Sequence, residues 1–147
     1  ISSTEIRKLI STGNINEASK LLGYRYQLGG EVIHGEGRGK TINFPTANVD
    51  YPKGKVMPPN GIYACWAHLG SQKFMAATNI GLNPTFTPER QVPSLEAYLL
   101  DFDRDIYGET MKLEFVARLR DEIRYTSVDA LIKQIHDDVD KTRAVLS

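Results

Sequence analysis

Thr46 and Asn48 stand two residues apart after Pro45, so a strand there turns both side chains to one face. Pro45 fixes its own φ and holds Phe44 extended, which sets the orientation of Thr46. A hydroxyl and a carboxamide oxygen on one face are hard donors suited to Mg2+, which keeps waters and substrate phosphates as its other ligands. Hydrogen bonds to local backbone would use the same residue types at a strand end, so these residues alone leave both readings open.

Just upstream, Gly35, Gly37 and Gly39 alternate with Glu36, Arg38 and Lys40. Alternating glycines let the backbone turn sharply and approach a ligand, and nearby amides and cations suit the phosphates of a nucleotide. A ligand-free glycine-rich hairpin explains the glycines equally simply. Gly39-Lys40-Thr41 is not a Walker A loop: no glycine lies five residues before Gly39, and Phe44-Pro45-Thr46 cannot open the required helix. Glu96 is a carboxylate flanked by Leu95 and Ala97 in an apolar stretch. Such a residue is either salt-bridged at an edge or functional, as a base for example, because burying a lone charge is costly.

The elements that must position these groups are short. Strands are predicted near Tyr24–Ile33, Phe44–Val49, Gly61–Leu69, Lys73–Ile80, Leu95–Phe102 and Met111–Leu119. The last is clearest, with Met111, Leu113, Phe115, Ala117 and Leu119 alternating with charged residues. No helix of useful length separates these strands, so antiparallel pairing and closure into a barrel are expected. Two short helices precede them, with capping-box spacing at Ser2–Glu5 and Asn14–Glu17 and a stop at Gly23. A long final helix, capped by Thr126 or Ser127, carries an apolar stripe of Val128, Leu131, Ile132, Ile135, Val139 and Val145 or Leu146, expected to lie against the barrel.

Composition narrows the function classes. The 147 residues are 41% apolar and 24% charged, suited to one soluble domain. Eighteen basic and eighteen acidic residues balance, which argues against a nucleic-acid partner. No apolar run is long enough for a membrane helix and no leader opens the chain. Cys65 is the only cysteine, so no internal disulfide or cysteine-rich zinc site forms and a reducing cytoplasm is expected. His34, His68 and His136 lack metal-ligand spacing, and Trp66 reads as a barrel-wall residue.

Gly35–Asn48, with its Gly-Arg-Gly turn leading to Pro-Thr-Ala-Asn, resembles the signature of the riboflavin kinase family. The likeness continues through Pro59–Tyr63, Asn79–Phe86, Leu95–Phe102, Asp105–Gly108 and Leu119-Arg120, in order. Asn43 departs from it, where many relatives carry Gly, and so does Tyr98, where His is common.

The resemblance implies a mainly β fold, a six-stranded antiparallel Greek-key barrel with a long C-terminal helix and short N-terminal helices. It implies transfer of the ATP γ-phosphate to the 5′-hydroxyl of riboflavin, giving FMN and ADP. By it, Thr46 and Asn48 contact Mg2+ and ATP, and the turn holding Gly35, Gly37, Arg38, Gly39 and Lys40 folds over the nucleotide. Leu99, Asp101 and Tyr107 fall on the adenine side, Arg120, Arg124 and Tyr125 in the flavin-closing segment, and Glu96 at the general base.

Ile1–Arg7 resembles the last motif of the adenylyltransferase half of bifunctional FAD synthases. With Ile1 in place of Met, this implies a fragment: 1–23 a helical linker left from that half, 24–147 the kinase domain, and a parent that also converts FMN to FAD. The adenylyltransferase reaction itself is not expected from this fragment. The alternatives are a non-catalytic flavin-binding barrel and a barrel for single-stranded nucleic acid. The joint presence of Glu96, Thr46 and Asn48 argues against the first, and charge balance against the second.

Overall fold

A computed structural model describes residues 3–33, 46–81, 93–123 and 125–147. Helices α1 (Ser3–Ser11) and α2 (Ile15–Leu22) precede strands β1 (Gln27–Ile33), β2 (Ala47–Asp50), β3 (Gly61–Leu69), β4 (Gln72–Gly81), β5 (Ser94–Leu99) and β6 (Thr110–Arg120), and helix α3 (Val128–Leu146) follows. The strands close an antiparallel barrel in the order β1-β2-β5-β4-β3-β6. Strands β3, β4 and β5 follow one another as neighbours and β6 returns beside β3, which is Greek-key connectivity.

Alternation decides what faces inward. Tyr63, Cys65, Ala67 and Leu69 of β3, Leu95, Ala97 and Leu99 of β5, and Met111, Leu113 and Phe115 of β6 share one buried cluster. Tyr63 meets Phe115 edge-on with ring centroids 5.3 Å apart. Gly30 is where the barrel tightens: a Cβ there would overlap the Asp50 carbonyl on β2, so only glycine lets these strands close. Ile10, Ile15 and Ala18 of the N-terminal helices join the same core.

The even alternation read for β6 holds only to Phe115. Register shifts fall between Ile62 and Tyr63 and between Ala64 and Cys65 of β3, so Ala117 stands opposite Ala64, Arg118 opposite Tyr63 and Arg120 opposite Ile62. These bulges re-aim the end of β6: Arg118 reaches the Tyr63 hydroxyl (3.3 Å) and the Asn60 carbonyl (2.6 Å), and Arg120 is left on the outer surface.

Two caps differ in outcome. Asn14 makes no side-chain cap to α2; its amide donates to Thr12 Oγ1 instead (3.1 Å). Ser127 does cap α3, its oxygen accepting from the Ala130 amide (3.1 Å). Gly23 ends α2 in the left-handed conformation, φ 82°.

Helix α3 packs across the outside of β3, β4 and β6, where paired Ala64, Ala77 and Ala117 leave a shallow trough. Its fully buried residues are Asp138 and Thr142; Leu131, Ile132, Ile135, Val139 and Leu146 of the expected stripe are half-buried beside them, while Val128 and Val145 are 57% and 41% exposed. An ion pair, described next, sets this rotation.

Candidate active site

A single line of side chains crosses the outer face of the barrel. Asn48 of β2 is the register partner of Glu96 of β5, Glu96 of Asn79 of β4, Asn79 of Ile62 of β3, and Ile62 of Arg120 of β6. Each polar member stands outside because its strand neighbours point in: Ala47 and Val49, Leu95 and Ala97, Ile80. Directly opposed side chains in an antiparallel pair lie about 4.5–5.5 Å apart at Cβ. Glu96 is thus held between two carboxamides, with Thr46 two residues before the nearer one. The structure brings Glu96 beside Asn48, which lies 48 residues earlier in the sequence and two after Thr46.

The far end of the row is an ion-pair cluster. Arg120 donates from Nε to Asp138 Oδ1 (2.8 Å) and from Nη2 to Asp138 Oδ2 (2.7 Å), a bidentate pair whose side chains are 14% and 6% exposed. Nη2 also reaches the Tyr125 hydroxyl (2.9 Å), Nη1 the Asp121 carbonyl (2.9 Å), and Gln134 supports Asp138 (3.2 Å). Burial alone would lower the Arg120 pKa, but the bonds and charge of Asp138 with those of Tyr125 outweigh it and hold it above its usual value. Burial pushes the Tyr125 phenol up, against the opposing pull of Arg120, so its hydroxyl stays protonated. Arg120 and Tyr125 therefore meet each other and α3. Sequence reasoning did not single out Asp138.

The segment after β6 folds back towards Glu96. A Cβ at Gly81 would overlap the Glu122 carboxylate, and Gly81 pairs with Ser94, two residues before Glu96. Glu122 thereby lies over the end of β4 beside β5.

Other expected site residues are placed differently. Leu99 points into the core. Asp101, at φ 55°, ends the β5 turn with its exposed carboxylate gripped by Arg143 (2.9 Å to each oxygen). The Arg143 hydrogen bond and charge hold the Asp101 carboxyl below its ordinary value. Tyr107 sits in a loop fastened to β1, where Gly108 donates to the Val32 carbonyl (2.8 Å); Ile33, the next residue, pairs with Asn48. The loop therefore lies near the Asn48 end of the row. Gly35, Gly37, Arg38, Gly39, Lys40 and Arg124 lie outside the described residues.

Among the described residues no group of three or more His, Cys, Asp or Glu is placed to hold a metal ion. The Asn48 carboxamide stands beside the Glu96 carboxylate, and with the Thr46 hydroxyl two residues earlier it supplies oxygen donors of the kind that fits Mg2+ sharing its remaining positions with waters and phosphate. No helix among the described residues is long and apolar enough to cross a membrane.

The fold and the sequence are shared with known proteins. The flavokinase family model, described as riboflavin kinase, matches residues 22–146. Bifunctional riboflavin kinase/FMN adenylyltransferases of Listeria monocytogenes and Bacillus subtilis are 42% and 40% identical over 98% and 94% of this chain. The chain spans about half the length of these curated relatives, 46% and 44%. A riboflavin kinase structure from Trypanosoma brucei superposes with a TM-score of 0.62 at 27% identity, over 82% of this chain and 78% of that one. A Streptococcus pneumoniae structure described as a macrolide-efflux protein superposes with a TM-score of 0.90 at 40% identity, over 97% of this chain and 46% of that one. A six-stranded Greek-key barrel with Asn48 and Glu96 paired on its outer face, matched by the family model along residues 22–146, belongs to the riboflavin kinase family.

Proposed function

We propose that this chain transfers the γ-phosphoryl group of ATP to the 5′-hydroxyl of riboflavin, giving FMN and ADP. The observation that carries this reading is the register of Glu96 against Asn48, which sets a carboxylate beside an oxygen donor suited to a phosphate-bound cation. In the reaction the hydroxyl oxygen bonds to the γ-phosphorus, the bond from phosphorus to the β,γ-bridging oxygen breaks, and the hydroxyl proton passes to Glu96. Phosphoryl transfer asks chiefly for alignment and charge neutralisation, with a base to take that proton. Bound through Thr46 and Asn48, Mg2+ would neutralise phosphate charge and fix the γ-phosphate.

In the same reading Gly35, Gly37, Arg38, Gly39 and Lys40 cover the phosphates, and Leu99, Asp101 and Tyr107 belong to the adenine side. Arg120, Arg124 and Tyr125 close over the flavin. The Arg120–Asp138 pair supports this last role by fixing Tyr125 and the start of the segment that folds over Gly81. The whole protein, by the likeness of its relatives, also carries an adenylyltransferase domain that converts FMN to FAD, and works in the cytoplasm with no nucleic-acid or membrane partner.

Incubation with riboflavin, ATP and Mg2+, followed by chromatography, tests the reaction. FMN and ADP are expected in equal amounts and only with the metal. Riboflavin left unchanged, with the protein folded, would overturn the proposal.

A further inference from the structure

Asn79 lies on the outer row directly beside Glu96, as its register partner across β4 and β5. Its carboxamide oxygen is shielded from water and has no hydrogen-bond partner. Two other side-chain oxygens among the described residues share that state, those of Thr78 and Thr142. Thr78 points into the barrel opposite Tyr63 and Ala97, and Thr142 lies on the buried face of α3, so neither belongs to the row. A threonine hydroxyl can rotate to donate, whereas a carboxamide oxygen can only accept. Buried acceptors in folded proteins are nearly always paired, so Asn79 calls for a donor at the site.

Resting on the kinase reading above, we propose that Asn79 binds substrate, its carboxamide oxygen accepting a hydrogen bond from a hydroxyl of the flavin's ribityl chain. The terminal hydroxyl of that chain must reach Glu96 to react. A hydroxyl one or two carbons back then falls within a single cross-strand spacing, about 4.5–5.5 Å between opposed Cβ atoms, which is the distance from Glu96 to its neighbour on β4. Asn48, Glu96 and Asn79 thus take metal, reacting hydroxyl and chain hydroxyl on three adjacent strands. The row selects a flavin that carries a polyol over one that does not.

Asn79→Val and Asn79→Thr differ from each other by one oxygen at nearly constant shape. Calorimetric titration with riboflavin, and with lumiflavin, which lacks the polyol, reads binding without turnover. Asn79→Val is expected to weaken riboflavin about tenfold, the loss of one hydrogen bond, with lumiflavin changed less than twofold. Asn79→Thr should recover part of the loss. If Asn79→Val does not fold, Asn79→Ala gives the same comparison. Unchanged riboflavin affinity, or equal loss for both flavins, would overturn the role of Asn79. Polyol-selective loss in a protein that forms no FMN would instead sink the kinase reading alone.

Discussion

Asp138→Ala removes the partner of a guanidinium that is 14% exposed and leaves it the Tyr125 hydroxyl and the Asp121 carbonyl as acceptors. Two bonds of 2.8 and 2.7 Å disappear together with the opposite charge. For unit charges centred about 4 Å apart the direct attraction is about 4 kcal/mol at an effective dielectric near 20, and breaking a buried pair from one side costs about 3–5 kcal/mol. Total stability of a domain is about 5–15 kcal/mol, so the variant should unfold at markedly lower urea. At roughly 2–4 °C per kcal/mol for a chain of this size, Tm should fall by about 6–20 °C. The double variant Arg120→Met, Asp138→Leu removes both charges and should recover most of the loss, about 2 kcal/mol or more relative to Asp138→Ala. Urea titration followed by circular dichroism measures all three proteins. A single-variant cost below about 1 kcal/mol, or a double variant no better than the single, would refute the claim that this pair orients α3.

Three further outcomes follow from other parts of the molecule. Burial would raise the Glu114 carboxyl, but hydrogen bonds from His68 (2.8 Å) and Arg25 (3.0 Å) outweigh it and hold the pKa below its ordinary value. Its stabilisation is present above the unfolded pKa, about 4.3, and lost as pH falls through the lower folded value, so Glu114→Gln should flatten the acid side of a stability–pH curve. An unchanged acid limb would contradict this. Cys65 is fully buried and its thiol is pushed up to about 12, so iodoacetamide at pH 8 should label it only as the protein unfolds in urea; rapid native labelling would contradict its place in the core. Thr46→Val should weaken ATP binding in the presence of Mg2+ by roughly tenfold and leave metal-free binding unchanged, as fluorescence titration can measure. Equal effects with and without metal would remove Thr46 from the cation site.

Much of this fold was legible because its signals are local. The period-two pattern of Met111, Leu113 and Phe115 is a property of neighbouring residues, and Gly23 needs only its own φ to end α2. What stayed hidden depends on distant pairing. The bulges that turn Arg120 outward depend on how β6 meets β3, and no residue in β6 announces them. The polar Asp138 is buried against Arg120, and nothing in the apolar stripe of α3 announces that pair. The same limit applies to the site. Glu96 and the Thr46–Asn48 pair could be picked out by residue type, but their adjacency comes from strand register, and so does the place of Asn79 beside them.

Single-turnover FMN formation by Glu96→Gln, with Mg2+ and ATP in excess, tests the central claim most directly. Glutamine keeps the size and place of the side chain but cannot take the hydroxyl proton. The rate should fall by roughly 10²–10⁴-fold, with ATP and riboflavin affinities within about threefold of the parent. Transfer at the parental rate would contradict the assignment of Glu96 as the base and, with it, the chemistry read from its register with Asn48.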